Sequence, residues 1–66
     1  MDADRFVALT ERLHAARNRV EAAKVPPSRR STWHERLIAI ADDAQQDLAS
    51  AEAHLERFEA ELDRHT

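Results

Sequence analysis

The sequence predicts an all-α fold: one domain, residues 1–66, forming an antiparallel, coiled-coil-like hairpin of two helices. Charged residues make up 35% of the chain and glycine is absent, a composition typical of long helices. Apolar residues recur at steps of three and four along the chain, which places them on one face of a helix. The two prolines are adjacent, Pro26 and Pro27, and they divide this apolar pattern into two helices.

The first helix is expected over residues 3–24. Its apolar positions alternate between steps of three and four without interruption: Phe6, Leu9, Leu13, Ala16, Val20 and Ala23. The helix has to end near Lys24, because Val25 precedes a proline and is therefore disfavoured in the helical conformation. Neither proline can continue the backbone hydrogen bonds. A loop is predicted over residues 25–31.

The second helix is expected over residues 32–65. Thr32 and Glu35 have the spacing of a capping box, which marks a helix start. The apolar positions that follow are Trp33, Leu37, Ile40, Ala44, Leu48, Ala51, Leu55, Phe58 and Leu62. Two consecutive steps of four, ending at Ala44 and Leu48, leave Asp47 at the position that a strict heptad would use. We expect Asp47 to control the register of helix packing.

The two predicted helices differ in length, which indicates a partner. Helix 1 has about 22 residues and helix 2 about 33, so roughly 17 Å of helix 2 overhangs at 1.5 Å per residue. Apolar residues on that overhang would be exposed to water unless another chain buries them. We expect that chain to be either a second copy, which would give a homodimer in the form of a four-helix bundle, or a helical partner protein. The expected interface comprises Val7, Ile38, Leu48, Ala51, Leu55, Phe58 and Leu62.

Charge is unevenly distributed along the predicted hairpin. Basic residues crowd its loop half, and acidic residues crowd the distal half of helix 2. Two copies packed antiparallel would therefore place opposite charges side by side. The sequence predicts a non-catalytic adaptor or regulator that acts by self-association or by binding a partner helix.

An enzyme is not expected, because the chain has neither cysteine nor a glycine-rich loop. Glu11 and His14 have the Glu-x-x-His spacing of di-iron bundles, but both point away from the apolar seam, so neither a metal nor a cofactor is expected. No apolar run is long enough to span a membrane. The N-terminus lacks the features of a signal peptide, which predicts a cytoplasmic protein.

A second interpretation is that the basic loop end binds nucleic acid or a nucleotide. Arginines near the loop can grip phosphate, and Trp33 can offer a stacking surface, although Trp33 is better explained as a core residue. The candidate anion-binding residues are Arg17, Lys24, Arg29, Arg30, Arg36 and Trp33. The net charge of −3 argues against this interpretation, since nucleic-acid-binding domains are usually basic.

Overall fold

The computed structural model describes residues 2–65, with side chains from residue 3 onward. It contains three helices, α1 (Asp2–Ala22), α2 (Pro27–Gln46) and α3 (Leu48–His65), and no strand over the described residues. The predicted all-α class is confirmed. The prediction of one continuous second helix over residues 32–65 is wrong, because α2 and α3 are separate helices that pack against each other and against α1.

Helices α1 and α3 run parallel. Arg5 pairs with Glu52 and Arg12 pairs with Glu59, so the contacts advance along both helices in the same direction.

Helix α2 runs antiparallel to α3. His54 contacts Asp43, and Arg36 contacts Glu61, so residue numbers rise on one helix as they fall on the other. Laid end to end, the two helices would extend about 57 Å at 1.5 Å per residue. The longest dimension of the molecule is 38 Å, so the chain folds back between them into an up-down-up three-helix bundle.

Asp47 makes the reversal between α2 and α3. Its backbone is extended, with φ −149° and ψ 96°, and its N–H donates the last hydrogen bond of α2 to the carbonyl oxygen of Asp43 at 2.7 Å. Its carboxylate accepts a hydrogen bond from the N–H of Ser50 at 3.2 Å, as an N-cap residue does for the first turn of a helix. One residue therefore ends α2 and caps α3.

Helix α2 begins earlier than the capping-box pattern predicts. Pro26 precedes it with φ −59° and ψ 149°, and Pro27 is its first residue, a position at which proline is favoured because no N–H is needed there. Thr32 lies inside the helix, where its hydroxyl donates to the carbonyl oxygen of Ser28 at 3.1 Å. The predicted loop over 25–31 is therefore wrong, and the turn consists of residues 23–26.

A single core joins the three helices. The buried apolar residues follow the predicted seams and are Leu9, Ala16, Val20, Ala23, Trp33, Leu37, Ile40, Ala44, Ala51, Leu55, Phe58 and Leu62. Leu55, Phe58 and Leu62 are 0% exposed, so the predicted overhang does not exist. When the same chain buries the apolar face of α3, no translational or rotational freedom is lost, whereas burial by a second chain costs both.

Candidate functional surfaces

The surface between α1 and α3 is closed by a row of ion pairs. Three arginines seven residues apart on α1 face carboxylates on α3, in the pairs Arg5–Glu52, Arg12–Glu59 and Arg19–Asp63. The opposite charges that the sequence suggested would meet between two copies therefore meet within one chain. The seven-residue spacing of Arg5, Arg12 and Arg19 places them on one face of α1 and is a sequence signal for this pairing that the predicted hairpin did not use.

Two of these ion pairs each shift the pKa of one member. The hydrogen bond to Glu59, at 2.5 Å, raises the pKa of Arg12 above its ordinary value. The hydrogen bond from Arg5 lowers the pKa of Glu52. Both shifts favour the charged forms of Arg12 and Glu52.

Most of the residues predicted to bind a partner are inside the protein. Ala51, Leu55, Phe58 and Leu62 are buried in the core, and Leu48 is half-buried. These assignments were wrong because α3 covers its own apolar face by folding back. Ile38 and Val7 are exposed, at 63% and 56%, and are the predicted interface residues that remain on the surface.

An apolar groove runs between α1 and α2, with a volume of about 330 Å³. We call it the α1–α2 groove, and it is lined by Leu13, Arg17, His34, Leu37, Ile38 and Ala41. Leu37 is buried, Leu13 is half-buried, and Ile38 projects from the rim. His34 is held at the rim by Glu21, with 3.1 Å between the ring nitrogen and the carboxylate.

Charges of opposite sign flank the α1–α2 groove. Arg17 lines the groove from α1. Glu35 and Asp42 lie three residues before and four residues after Ile38, which places them beside it on α2. All three are exposed, and none forms an ion pair within the described part of the chain. The groove therefore has a positive charge on its α1 side and negative charges on its α2 side.

The predicted anion-binding residues do not form one site. Trp33 is 2% exposed and packs edge-on against Phe58 at 6.3 Å between ring centroids, so it cannot stack on a base. Arg30 donates to the carbonyl oxygens of Ala23 and Val20, at 2.7 and 3.4 Å, and thereby closes the C-terminal end of α1. These two assignments were wrong because the predicted loop is helical and packed.

The other four predicted cations lie at separate places. Arg29 and Arg36 line one surface cleft together with Trp33 and Glu61; Arg29 contacts His65 at 3.1 Å, and Arg36 pairs with Glu61. Arg17 lines the α1–α2 groove, and Lys24 is exposed in the turn before α2.

A second cluster of arginines lies between α2 and α3. A surface cleft of about 320 Å³ is lined by Arg36, Arg57, Ala60, Glu61 and Arg64, and we call it the arginine cleft. Arg57 and Arg64 are exposed and form no ion pair within residues 3–65. In the sequence both lie within the acidic distal segment. Only the return of α3 along α2 brings them beside Arg36.

Comparison with protein families, characterised proteins and solved structures found no match for this chain. Among the described side chains, no group of three or more potential ligands is placed to hold a metal ion, and Glu11 and His14 are both exposed on α1. None of the helices within residues 2–65 is long and apolar enough to cross a membrane.

Proposed function

We propose that this protein is a non-catalytic protein–protein interaction module that self-associates through the α1–α2 groove. In this arrangement the two copies are related by a twofold axis, and Ile38 of each copy enters the groove of the other. Helices α1 and α2 of both copies then form a four-helix bundle at the interface. The observation that carries the proposal is the 63% exposure of Ile38 at the rim of an apolar groove.

The groove and Ile38 are complementary within one surface. A closed dimer needs a patch that matches itself, because each copy contributes the same residues. Here a β-branched side chain projects beside a groove that has the half-buried Leu13 and the small Ala41 in its lining. A twofold rotation places each projection over the other groove.

The charges beside the groove favour the same arrangement. Arg17 of each copy would face Glu35 and Asp42 of the other copy. Such pairs at the rim set orientation and association rate more than affinity. They also explain why these three exposed charges near one groove have no ion-pair partner among the described residues.

The dimer should be weak. Burial of Ile38 contributes about 1.5 kcal/mol per copy, and association itself costs several kcal/mol. Ile38 alone therefore does not hold the dimer, and the other apolar contacts of the groove have to contribute. We expect a dissociation constant on the order of 1 mM, as for a transient interface. A dimer held together by an apolar overhang is no longer expected, since those residues are already buried within the chain.

Sedimentation equilibrium of the wild-type chain up to about 1 mM tests the proposal. Ile38→Asp should abolish the dimer, because it places a carboxylate in the apolar groove. Val7→Asp is the matched control: Val7 is 56% exposed and does not line the groove, so the dimer should persist.

Both variants should retain the wild-type melting temperature, since each side chain is exposed. A wild-type chain that stays monomeric at the highest concentration refutes self-association. Equal loss of dimer in both variants refutes the assignment to the α1–α2 groove.

A further inference from the structure

We propose that the arginine cleft binds a phosphate dianion, either free phosphate or the terminal phosphate of a monoester. Three arginines, Arg36, Arg57 and Arg64, line this one cleft. The cleft lies between α2 and α3, whereas the α1–α2 groove lies on another face. The phosphate proposal is therefore independent of self-association.

The spacing on α3 directs two arginines to one point. Arg57 lies three residues before Ala60 and Arg64 lies four residues after it, so all three share a face of the helix. The two arginines are about 10.5 Å apart along the helix axis, a gap that two long side chains can close from either side. The methyl group of Ala60 leaves room between them for an anion.

The third arginine is held in place by the core. The guanidinium of Arg36 lies 4.9 Å from the centre of the Phe58 ring, and it pairs with Glu61. Phe58 is itself buried against Trp33. Arg36 therefore loses little further freedom when it contacts a ligand, which reduces the entropic cost of binding.

The charge of the cleft matches a dianion. Three arginines and Glu61 leave a net charge of +2 in the cleft, within a protein whose net charge is −3. A phosphate group offers several oxygens to planar guanidinium groups and can bridge two of them, whereas a carboxylate usually satisfies one.

A phosphate group fits the cleft better than a nucleic-acid strand does. Binding of single strands relies on exposed aromatic side chains on which bases stack. The aromatic residues next to the cleft, Trp33 and Phe58, are both buried.

An NMR titration of the full chain with sodium phosphate, followed on the arginine Nε–H signals at constant ionic strength, tests the proposal. Signals of Arg36, Arg57 and Arg64 should shift together and saturate, with a dissociation constant on the order of 1 mM. Arg57→Gln combined with Arg64→Gln should weaken binding by at least about tenfold.

The matched control removes the same charge from another face. Arg5→Gln combined with Arg19→Gln takes two arginines from the α1–α3 surface and should change the dissociation constant by less than about twofold, since long-range charge is screened by salt. Circular dichroism checks that both double variants are folded. Equal weakening by the control would refute the cleft as the site.

Three other ligands complete the experiment. Equal affinity for phosphate and a nucleoside monophosphate identifies the phosphate group alone as the ligand, and tighter binding of the nucleotide identifies a monoester. Acetate that shifts the same signals as strongly as phosphate would overturn the assignment to phosphate. So would tighter binding of a thymidine oligomer without a terminal phosphate, which would indicate an extended polyanion. Absence of a saturable shift would refute any anion site.

Discussion

Replacement of Phe58 by alanine tests whether one chain supplies the whole core. Phe58 is 0% exposed, meets Trp33 edge-on at 6.3 Å between ring centroids, and supports the guanidinium of Arg36. Removing its ring leaves a cavity at the junction of α2 and α3. If the core lies within one chain, this cavity lowers the free energy of unfolding of each copy separately.

The expected cost is large for so small a protein. Truncation of a buried phenylalanine costs about 3–5 kcal/mol, which includes about 0.5–1.5 kcal/mol for the aromatic pair. A chain of this length has a total free energy of unfolding of roughly 3–10 kcal/mol. The Phe58→Ala variant should therefore lose about a third or more of its free energy of unfolding, and it should be largely unfolded at room temperature if the wild type lies near the lower end of that range.

Urea denaturation followed by circular dichroism measures this cost, at two protein concentrations about twentyfold apart, because the stability of an obligate dimer depends on concentration. Phe6→Ala is the matched control: Phe6 is 42% exposed, and its truncation should cost about 1 kcal/mol. A core supplied by one chain is refuted if Phe58→Ala costs no more than Phe6→Ala, or if the wild-type midpoint rises strongly with concentration.

Three further outcomes are expected from the same denaturation assay. Asp47→Ala should cost about 1 kcal/mol by removing the cap of α3, and Asp47→Asn should cost far less; equal costs would contradict the capping role. A double-mutant cycle with Arg12→Gln and Glu59→Gln should give a coupling of about 0.5 kcal/mol that declines with added salt, and a coupling insensitive to salt would contradict a surface ion pair. The pKa of Glu52 is lowered from 4.5 by Arg5, so their pair stabilises the fold above that value and is lost as pH falls through the folded-state pKa. Glu52→Gln should thus lose less stability than the wild type on acidification below about pH 5, and identical pH profiles would contradict this assignment.

Which residues are buried could be predicted from the sequence in large part. Every apolar position predicted for the second helix from Trp33 to Leu62 is buried, apart from the half-buried Leu48. Burial follows helical periodicity, which depends only on spacing along the chain. Where α2 begins was harder to predict, because the first turn at Pro27 competed with a plausible cap at Thr32.

The candidate surfaces could be predicted much less well. The exposure of Ile38 beside an apolar groove depends on how closely α1 and α2 approach. The arginine cleft depends on the return of α3, which brings Arg57 and Arg64 beside Arg36. Both surfaces combine residues from different helices, and spacing within one helix does not reveal such neighbours.

The sequence by itself determined an all-helical chain, the residues that its helices bury and a helix boundary at the two prolines. Only the tertiary structure decided that the apolar face of α3 is covered by α1 and α2 of the same chain. The apolar pattern shifts by one residue at Asp47 and then resumes with helical spacing, which is compatible both with a straight helix and with a reversal. The reversal prevails because it buries Leu55, Phe58 and Leu62 within one molecule and because Asp47 satisfies the backbone at the break.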